Sequence, residues 1–234
     1  MTLSSETAEA EFQSRFAIQA QAAMQHLSQA DPIMAKVIER VGPFELTSRQ
    51  PYFFALVSSI ISQQISTKAA AAILNRFLSL FPASKPEEVI PSRLLALSVE
   101  TLRTVGLSAQ KARYAFDLAE KIELGEVNLE NLENLSDEEI ISQLTKVKGI
   151  GRWTVEMFLI FSLTRPDVLP IDDLGFRMAI QKLYGFEERP APKILRQFAQ
   201  ERGWSPHSSA ATWYLWRSLN LKDEAEVNPE LLPS

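Results

Sequence analysis

The stretch LTKVKGIGRWTVEMFLIFSLTRPDVLPIDD, residues 144–173, limits the possible fold more than any other. It reads as the end of a helix, a tight turn, a second helix, a short proline-containing loop and two adjacent carboxylates at the start of a third helix. Ser136 with Glu139 has the spacing of a capping box and marks where the first helix begins. Ile140, Ile141, Leu144 and Val147 then recur at helical period. In the turn, Gly149 and Gly151 allow positive φ and close approach of another backbone, and Ile150 between them is an apolar plug. The helix from Arg152 to about Leu163 is apolar on nearly every side, which predicts burial.

Two readings of the turn stand side by side. One is an ordinary helix–helix connection. The other is a phosphate cradle, in which the N–H groups around Gly149 and Gly151 meet an anion at the N-terminus of the second helix. Lys146, Lys148 and Arg152 would add positive charge, and such a turn would hold a nucleic-acid backbone without reading its sequence. The Asp172-Asp173 pair is equally open. One carboxylate suffices for an N-cap, which gives Asp172 the structural role and leaves Asp173 spare in the first turn.

VKGIGRWTVEMFLIF followed by LPIDDLGFRMAI resembles the helix-hairpin-helix and Gly/Pro…Asp (GPD) signature of the DNA glycosylase superfamily. Within it the chain is similar to the 3-methyladenine (alkylpurine) DNA glycosylases, in the short form without an N-terminal β domain. The similarity runs from about His26 to Trp216. It implies an all-α fold of two helical domains with the active-site cleft between them. One domain would be residues 49–165, carrying the hairpin. The other would be discontinuous, residues 1–48 plus 166–234, with the catalytic Asp at its border.

The 234 residues suffice for such cores. No run reaches the roughly 18 apolar residues of a membrane span. The opening MTLSSETAEAEF is acidic and polar, unlike a secretory signal. With no cysteine, the chain can hold neither a disulfide nor the four-cysteine iron–sulfur cluster of some superfamily relatives. A net charge of −5 argues against coating DNA through bulk charge, and points to a small footprint built on backbone donors. The expected partner is damaged double-stranded DNA, bound by a monomer with no membrane association. The expected location is cytoplasmic with the nucleoid in a prokaryote, or nuclear in a eukaryote.

Elsewhere the chain reads as helical throughout. Residues 1–22 form a polar arm. Asp31-Pro32 starts a helix by N-cap and proline, and Gly42-Pro43 stops it. Phe53, Leu56, Val57, Ile60 and Ile61 define an amphipathic helix ending in the polar loop Ser62-Gln63-Gln64-Ile65-Ser66. Ser84 with Glu87 predicts another cap, and Gly106-Leu107-Ser108 opens a helix whose start is flanked by Lys111 and Arg113. Trp213 and Trp216 share nearly one helical face, by default a core stripe, and the acidic tail after Leu221 reads as disordered.

By resemblance, Gln64 fills the gap left by an extruded base, in a loop that includes Ser66. Ser108 is a second backbone contact, although a plain cap explains it as well. Lys148, Gly149, Gly151, Arg152 and Thr154 meet DNA at the hairpin. Trp153, Met157 and Trp216 form the base pocket, with Met157 and Leu174 replacing aromatics of some relatives. The carbonyls of Thr145, Val147 and Ile150 bind a monovalent cation, Na or K, and no cofactor is needed for catalysis. Relatives that also cut the strand carry lysine where this chain has Trp153, so the expected enzyme is monofunctional.

The chemistry asks for little more. N-glycosidic cleavage builds oxocarbenium character at the sugar, which one carboxylate, Asp173, can stabilise while orienting water. A purine already cationic by alkylation leaves without a general acid. His26 and His207 have no motif around them and read as surface or packing residues. Three readings therefore remain: an alkylpurine glycosylase, a glycosylase for another damaged purine, and a non-catalytic damage-binding protein in which the Asp only caps a helix.

Overall fold

The computed structural model describes residues 5–47 and 51–221, with side chains from residue 13 onward. The expected disordered tail after Leu221 lies outside the described residues. Among those described there are twelve α-helices and no strand. They are α1 Ser5–Ala30, α2 Pro32–Val41, α3 Tyr52–Ser62, α4 Thr67–Leu78, α5 Pro91–Leu95, α6 Val99–Thr104, α7 Ala109–Glu123, α8 Asp137–Leu144, α9 Arg152–Phe161, α10 Leu174–Tyr184, α11 Pro192–Glu201 and α12 Ser208–Ser218. Of the polar arm read from residues 1–22, the part from Ser5 is the start of α1, and residues 1–4 lie outside the described residues. The chain divides into two compact units, one taking the described residues up to Leu46 and from Arg165 onward, the other running from Thr47 to Thr164.

The discontinuous unit packs α1 on α2, and α12 on α2, α10 and α1. Its core includes Leu27, Met34, Phe176, Trp204 and Tyr214, all fully buried. Each such side chain contributes roughly 1.5–3 kcal/mol by leaving water. At its centre lies Asp31, 0% exposed. Its Oδ1 caps α2 by accepting the N–H groups of Ile33 at 2.9 Å and Met34 at 3.2 Å. Its Oδ2 accepts the Tyr184 hydroxyl at 2.6 Å and the Trp204 indole N–H at 3.0 Å. Arg202 Nη1 stands 3.7 Å away and lies over the Tyr184 and Phe198 rings. Tyr184, pressed between apolar neighbours and beside this carboxylate, has its pKa pushed far above the ordinary tyrosine value.

In the contiguous unit, the α3 residues read as apolar in sequence, Phe53, Leu56, Val57, Ile60 and Ile61, are all buried. Against them stands α7, which also packs on α5 and α6. The capping box at Ser136 and Glu139 is present in both directions. The cap expected at Ser84 and Glu87 does not form. Residues 82–84 and 86–88 are isolated 3-10 turns, and the next α-helix opens only at Pro91, a first-turn proline with φ suited to a helix start.

Candidate active site

The hairpin lies wholly in the contiguous unit. α8 ends at Leu144 and α9 begins at Arg152. Between them Gly149 takes φ +84, and Ile150, 3% exposed, plugs the space under the turn. Gly151 is the N-cap of α9 and has no side chain to bond the first helical amides, so no cap group competes with an anion for this helix start.

The turn is braced from outside by α7. The Tyr114 ring lies so close to Gly149 that a Cβ there would sit 2.0 Å from Cδ2. The Tyr114 hydroxyl is met by Gln110 Nε2 at 2.5 Å. Asp117 Oδ2 accepts the Lys148 N–H at 2.9 Å, which takes that amide out of any phosphate cradle. The Lys148 side chain is open to solvent, with Nζ 3.6 Å from Asp117 Oδ1. Arg152 is engaged differently from expectation. Its guanidinium bonds Glu138 through two nitrogens and Glu156 through Nε, and the Glu138 hydrogen bond leads in raising its pKa. A phosphate would have to compete with those carboxylates. Thr154, expected on DNA, is 6% exposed and lies on the inner face of α9, where it lines a cavity.

The loop after α3 is tied to the hairpin. Gln64 takes the left-handed φ of +56, uncommon for a residue with a Cβ. Gln63 Nε2 donates to the Gly149 carbonyl at 2.8 Å. Lys111 Nζ donates to the carbonyls of Ile61 and Gln63, both at 2.7 Å, and burial draws its pKa below the ordinary lysine value. Ser66 and Ser108 are both N-caps, accepting the N–H of Ala69 at 3.3 Å and of Lys111 at 3.2 Å. The plain cap reading of Ser108 is therefore realised.

Beside this loop opens a cavity of about 970 Å³. Its walls are Phe54, Ser58, Ser59, Ser62, Gln63, Gln64 and Leu74 on one side and Trp153, Thr154, Met157 and Phe161 on the other. Trp153 is 45% exposed, an unusual position for a residue with so large an apolar surface. The hydroxyls of Ser59 and Ser62 donate back to the carbonyls of Ala55 and Ser58, at 3.0 and 2.8 Å, so toward the cavity they can act as acceptors. Trp153 and Met157, expected in the base pocket, line this cavity together with Ser62 of the polar loop; Ser58 and Ser59 carried no signal in the sequence.

In the discontinuous unit, the Asp pair divides its roles the other way round. Asp173 is the N-cap of α10, its Oδ1 accepting the Phe176 N–H at 2.6 Å, while Asp172 is exposed. The reason is the turn that precedes the helix. Asp173 N–H bonds Pro170 O at 2.9 Å, which delays the first helical residue to Leu174 and puts the cap one residue later than the sequence suggested. The same Oδ1 receives the Trp216 indole N–H at 2.7 Å. Trp216, expected in the base pocket, gives its indole N–H to that carboxylate. Gly175 makes room for both, since a Cβ there would be 3.2 Å from Trp216 Cδ1 and 3.3 Å from Asp173 Oδ1. Leu174 and Met178 are exposed on the outer side of α10.

His26 and His207 are packing residues, as read. Their rings meet edge to face at 5.1 Å, and His26 Nε2 lies 2.7 Å from Gly203 O. His207 has its pKa lowered by burial and then by His26. Nearby, burial works to raise the pKa of Asp167, but hydrogen bonds from Ser205 at 2.6 Å and Ser208 at 2.5 Å prevail and hold it below the ordinary value. For a cation at the hairpin, Thr145 closes α8 and the Val147 carbonyl accepts the Ile150 N–H at 3.1 Å. That leaves the Val147 oxygen a second lone pair. A carbonyl oxygen of this kind is a donor type that suits a hard monovalent ion.

A family model described as HhH-GPD superfamily base excision DNA repair protein matches residues 57–204. DNA-3-methyladenine glycosylase 1 of Schizosaccharomyces pombe is 36% identical over 203 residues, spanning 85% of this chain and 87% of that protein. Among solved structures, the S. pombe 3-methyladenine DNA glycosylase in complex with abasic DNA superposes with a TM-score of 0.76 at 35% identity, covering 86% of this chain and 97% of that one. A DNA-3-methyladenine glycosidase from Bacillus halodurans gives a TM-score of 0.75 at 35% identity, covering 85% of this chain and 89% of that one.

Proposed function

The chain belongs to the HhH-GPD superfamily of base excision DNA repair proteins, and from that membership we propose that it is a DNA glycosylase of the 3-methyladenine type. It hydrolyses the N-glycosidic bond of alkylated purines in damaged duplex DNA. The observation that carries this reading is the Asp173 carboxylate. Two N–H donors, from Phe176 and Trp216, converge on Oδ1 and hold the group in one orientation.

A fixed carboxylate near the anomeric carbon stabilises the cation as the base departs, and it orients the water that adds to that carbon. The water's proton passes to solvent or to the carboxylate. The departing purine, cationic before cleavage, takes the bonding pair and becomes neutral, so no general acid is required. The base leaves the stack at a cost of a few kcal/mol, less for a damaged pair. Trp153 offers an indole face to a cationic ring, and Met157 a polarisable surface. Gln64 fills the space the base vacates. Backbone N–H groups at Gly149 and Gly151, with Lys148, hold the phosphates. The carbonyls of Thr145, Val147 and Ile150 would hold a Na or K ion that adds positive charge there. With Trp153 two residues past Gly151, no amine stands where a Schiff base would form, and the enzyme is monofunctional. It acts as a monomer on chromosomal DNA, cytoplasmic or nuclear according to its host.

The test is base release from methylated duplex DNA, comparing wild type with Asp173→Asn at matched DNA affinity. Asparagine can keep the cap and accept both donors, so the helix survives and only the charge is lost. A loss of at least about a hundredfold is expected for one electrostatic group. Release that survives the substitution would mean the carboxylate is misassigned. A panel of oxidised and deaminated purines separates this reading from a glycosylase for another lesion, which the exchanges at Met157 and Leu174 would favour.

A further inference from the structure

Three turns of the contiguous unit converge through side chains that bond backbone carbonyls rather than each other. The loop after α3 is held by Lys111, whose Nζ reaches Ile61 O and Gln63 O at 2.7 Å each. The same loop reaches the hairpin through Gln63 Nε2 and Gly149 O at 2.8 Å. The turn that opens α7 is held by Arg76, whose Nε donates to Val105 O at 3.0 Å. Lys111 sits at the junction, in the first turn of α7, with its own N–H on Ser108.

The carbonyls it takes are special. The last carbonyls of a helix have no internal donor, and here they lie at the end of α3, where the dipole is negative. A cation there completes the helix and stops the chain from continuing it. The next residue but one, Gln64, then holds a left-handed φ of +56 that an unconstrained glutamine would leave. Lysine supplies three donors on one nitrogen, so one side chain can bind two carbonyls on a tightening turn.

From this geometry we infer that Lys111 is a positioning residue for base extrusion: by capping α3 it fixes the loop from which Gln64 enters the duplex. Through Gln63 and Gly149 it also sets that loop in register with the phosphate-holding hairpin. The inference rests on the glycosylase reading given above. It differs from general stabilisation in one respect. A loop that fills a gap in a stack matters when a base must leave a duplex, and not when the base is already unpaired.

The experiment compares Lys111→Met with wild type on the same alkylated oligonucleotide, duplex and single-stranded, beside thermal melting. The expected result is a fall of at least about tenfold in kcat/KM on the duplex, with the single strand changed by less than about twofold. Lys111→Arg, whose fork can still bond a carbonyl, should recover part of the duplex rate. Combining Lys111→Met with Gln64→Ala should cost no more on the duplex than the worse single variant, because both remove the same event. Equal losses on both substrates, or additive losses in the double variant, would overturn the inference. If Lys111→Met melts before the assay temperature, Lys111→Gln, whose amide can reach one of the two carbonyls but not both, takes its place, and the same duplex-to-single-strand ratio decides. If wild type releases no base from either strand form, the glycosylase reading fails by itself. Positioning is then read from 2-aminopurine placed beside an abasic analogue: wild type should change its fluorescence on binding, and Lys111→Met should bind without that change.

Discussion

Gly149→Ala isolates how α7 shapes the hairpin. Two costs are expected. Alanine at φ +84 sits in the left-handed region, at roughly 1–2 kcal/mol. Its Cβ would also lie 2.0 Å from Tyr114 Cδ2, 2.4 Å from Cε2 and 2.6 Å from Cγ, where carbon contacts are comfortable only near 3.5–4.0 Å. The ring must therefore retreat by about 1.5 Å or more, against the Gln110 bond that holds its hydroxyl. Overpacking of this kind costs about 1–3 kcal/mol. The total for Gly149→Ala is then about 2–5 kcal/mol. In a Tyr114→Ala background the ring is gone, and the same substitution should cost only the backbone part, about 1–2 kcal/mol. Urea unfolding of the four proteins gives the coupling directly, expected at about 1–3 kcal/mol. If Gly149→Ala costs the same with and without the Tyr114 ring, the ring does not brace the turn and the packing argument fails.

Asp31→Ala should lower stability by about 3–5 kcal/mol, because it strips a helix cap and leaves the Tyr184 hydroxyl and Trp204 indole without their acceptor. Asp31→Asn should fall between that variant and wild type in the same denaturant titration, since its amide keeps the cap but presents a donor where two donors already point. Gly175→Ala should reduce base release far more than it reduces the melting temperature, because its methyl would press on Trp216 and Asp173 rather than on the core; equal activity would show the pair tolerates displacement. Stability should decline as pH drops below the ordinary histidine value. The pKa of His207 is lowered in the folded state, so the unfolded chain binds more protons in that window. Melting from pH 7 to 5 should show that slope, and His207→Gln should flatten it.

Much of the architecture was legible because it is written locally. The cap at Asp31, the capping box at Ser136, the buried stripe of α3 and the plug at Ile150 each depend on residues within a turn or two. The Asp pair was harder, because the cap depends on a backbone bond to Pro170 and not on which carboxylate comes first. The bracing of the hairpin was invisible for a different reason. Tyr114 and Asp117 belong to no motif and Lys111 showed only as a charge flanking the start of a helix, while the partners of Asp117 and Lys111 lie 31 to 50 residues away at Lys148, Gln63 and Ile61. Asp117 stands in sequence at the edge of an apolar face, where a charge rarely goes without a partner, and the structure buries it there.

The links around Asp31 also bear on how the chain comes together during synthesis. His26 meets Gly203 across 177 positions, Asp31 meets Trp204 across 173, and Gly42 meets Tyr214 across 172. A chain leaving the ribosome presents α1 and α2 first and their partners last, so this unit cannot close until nearly all of it has emerged. The helices from Tyr52 to Phe161, by contrast, find their neighbours within one uninterrupted stretch. The order is then built into the topology: the hairpin unit can consolidate early, and the unit bearing Asp173 is completed only when the last helix arrives.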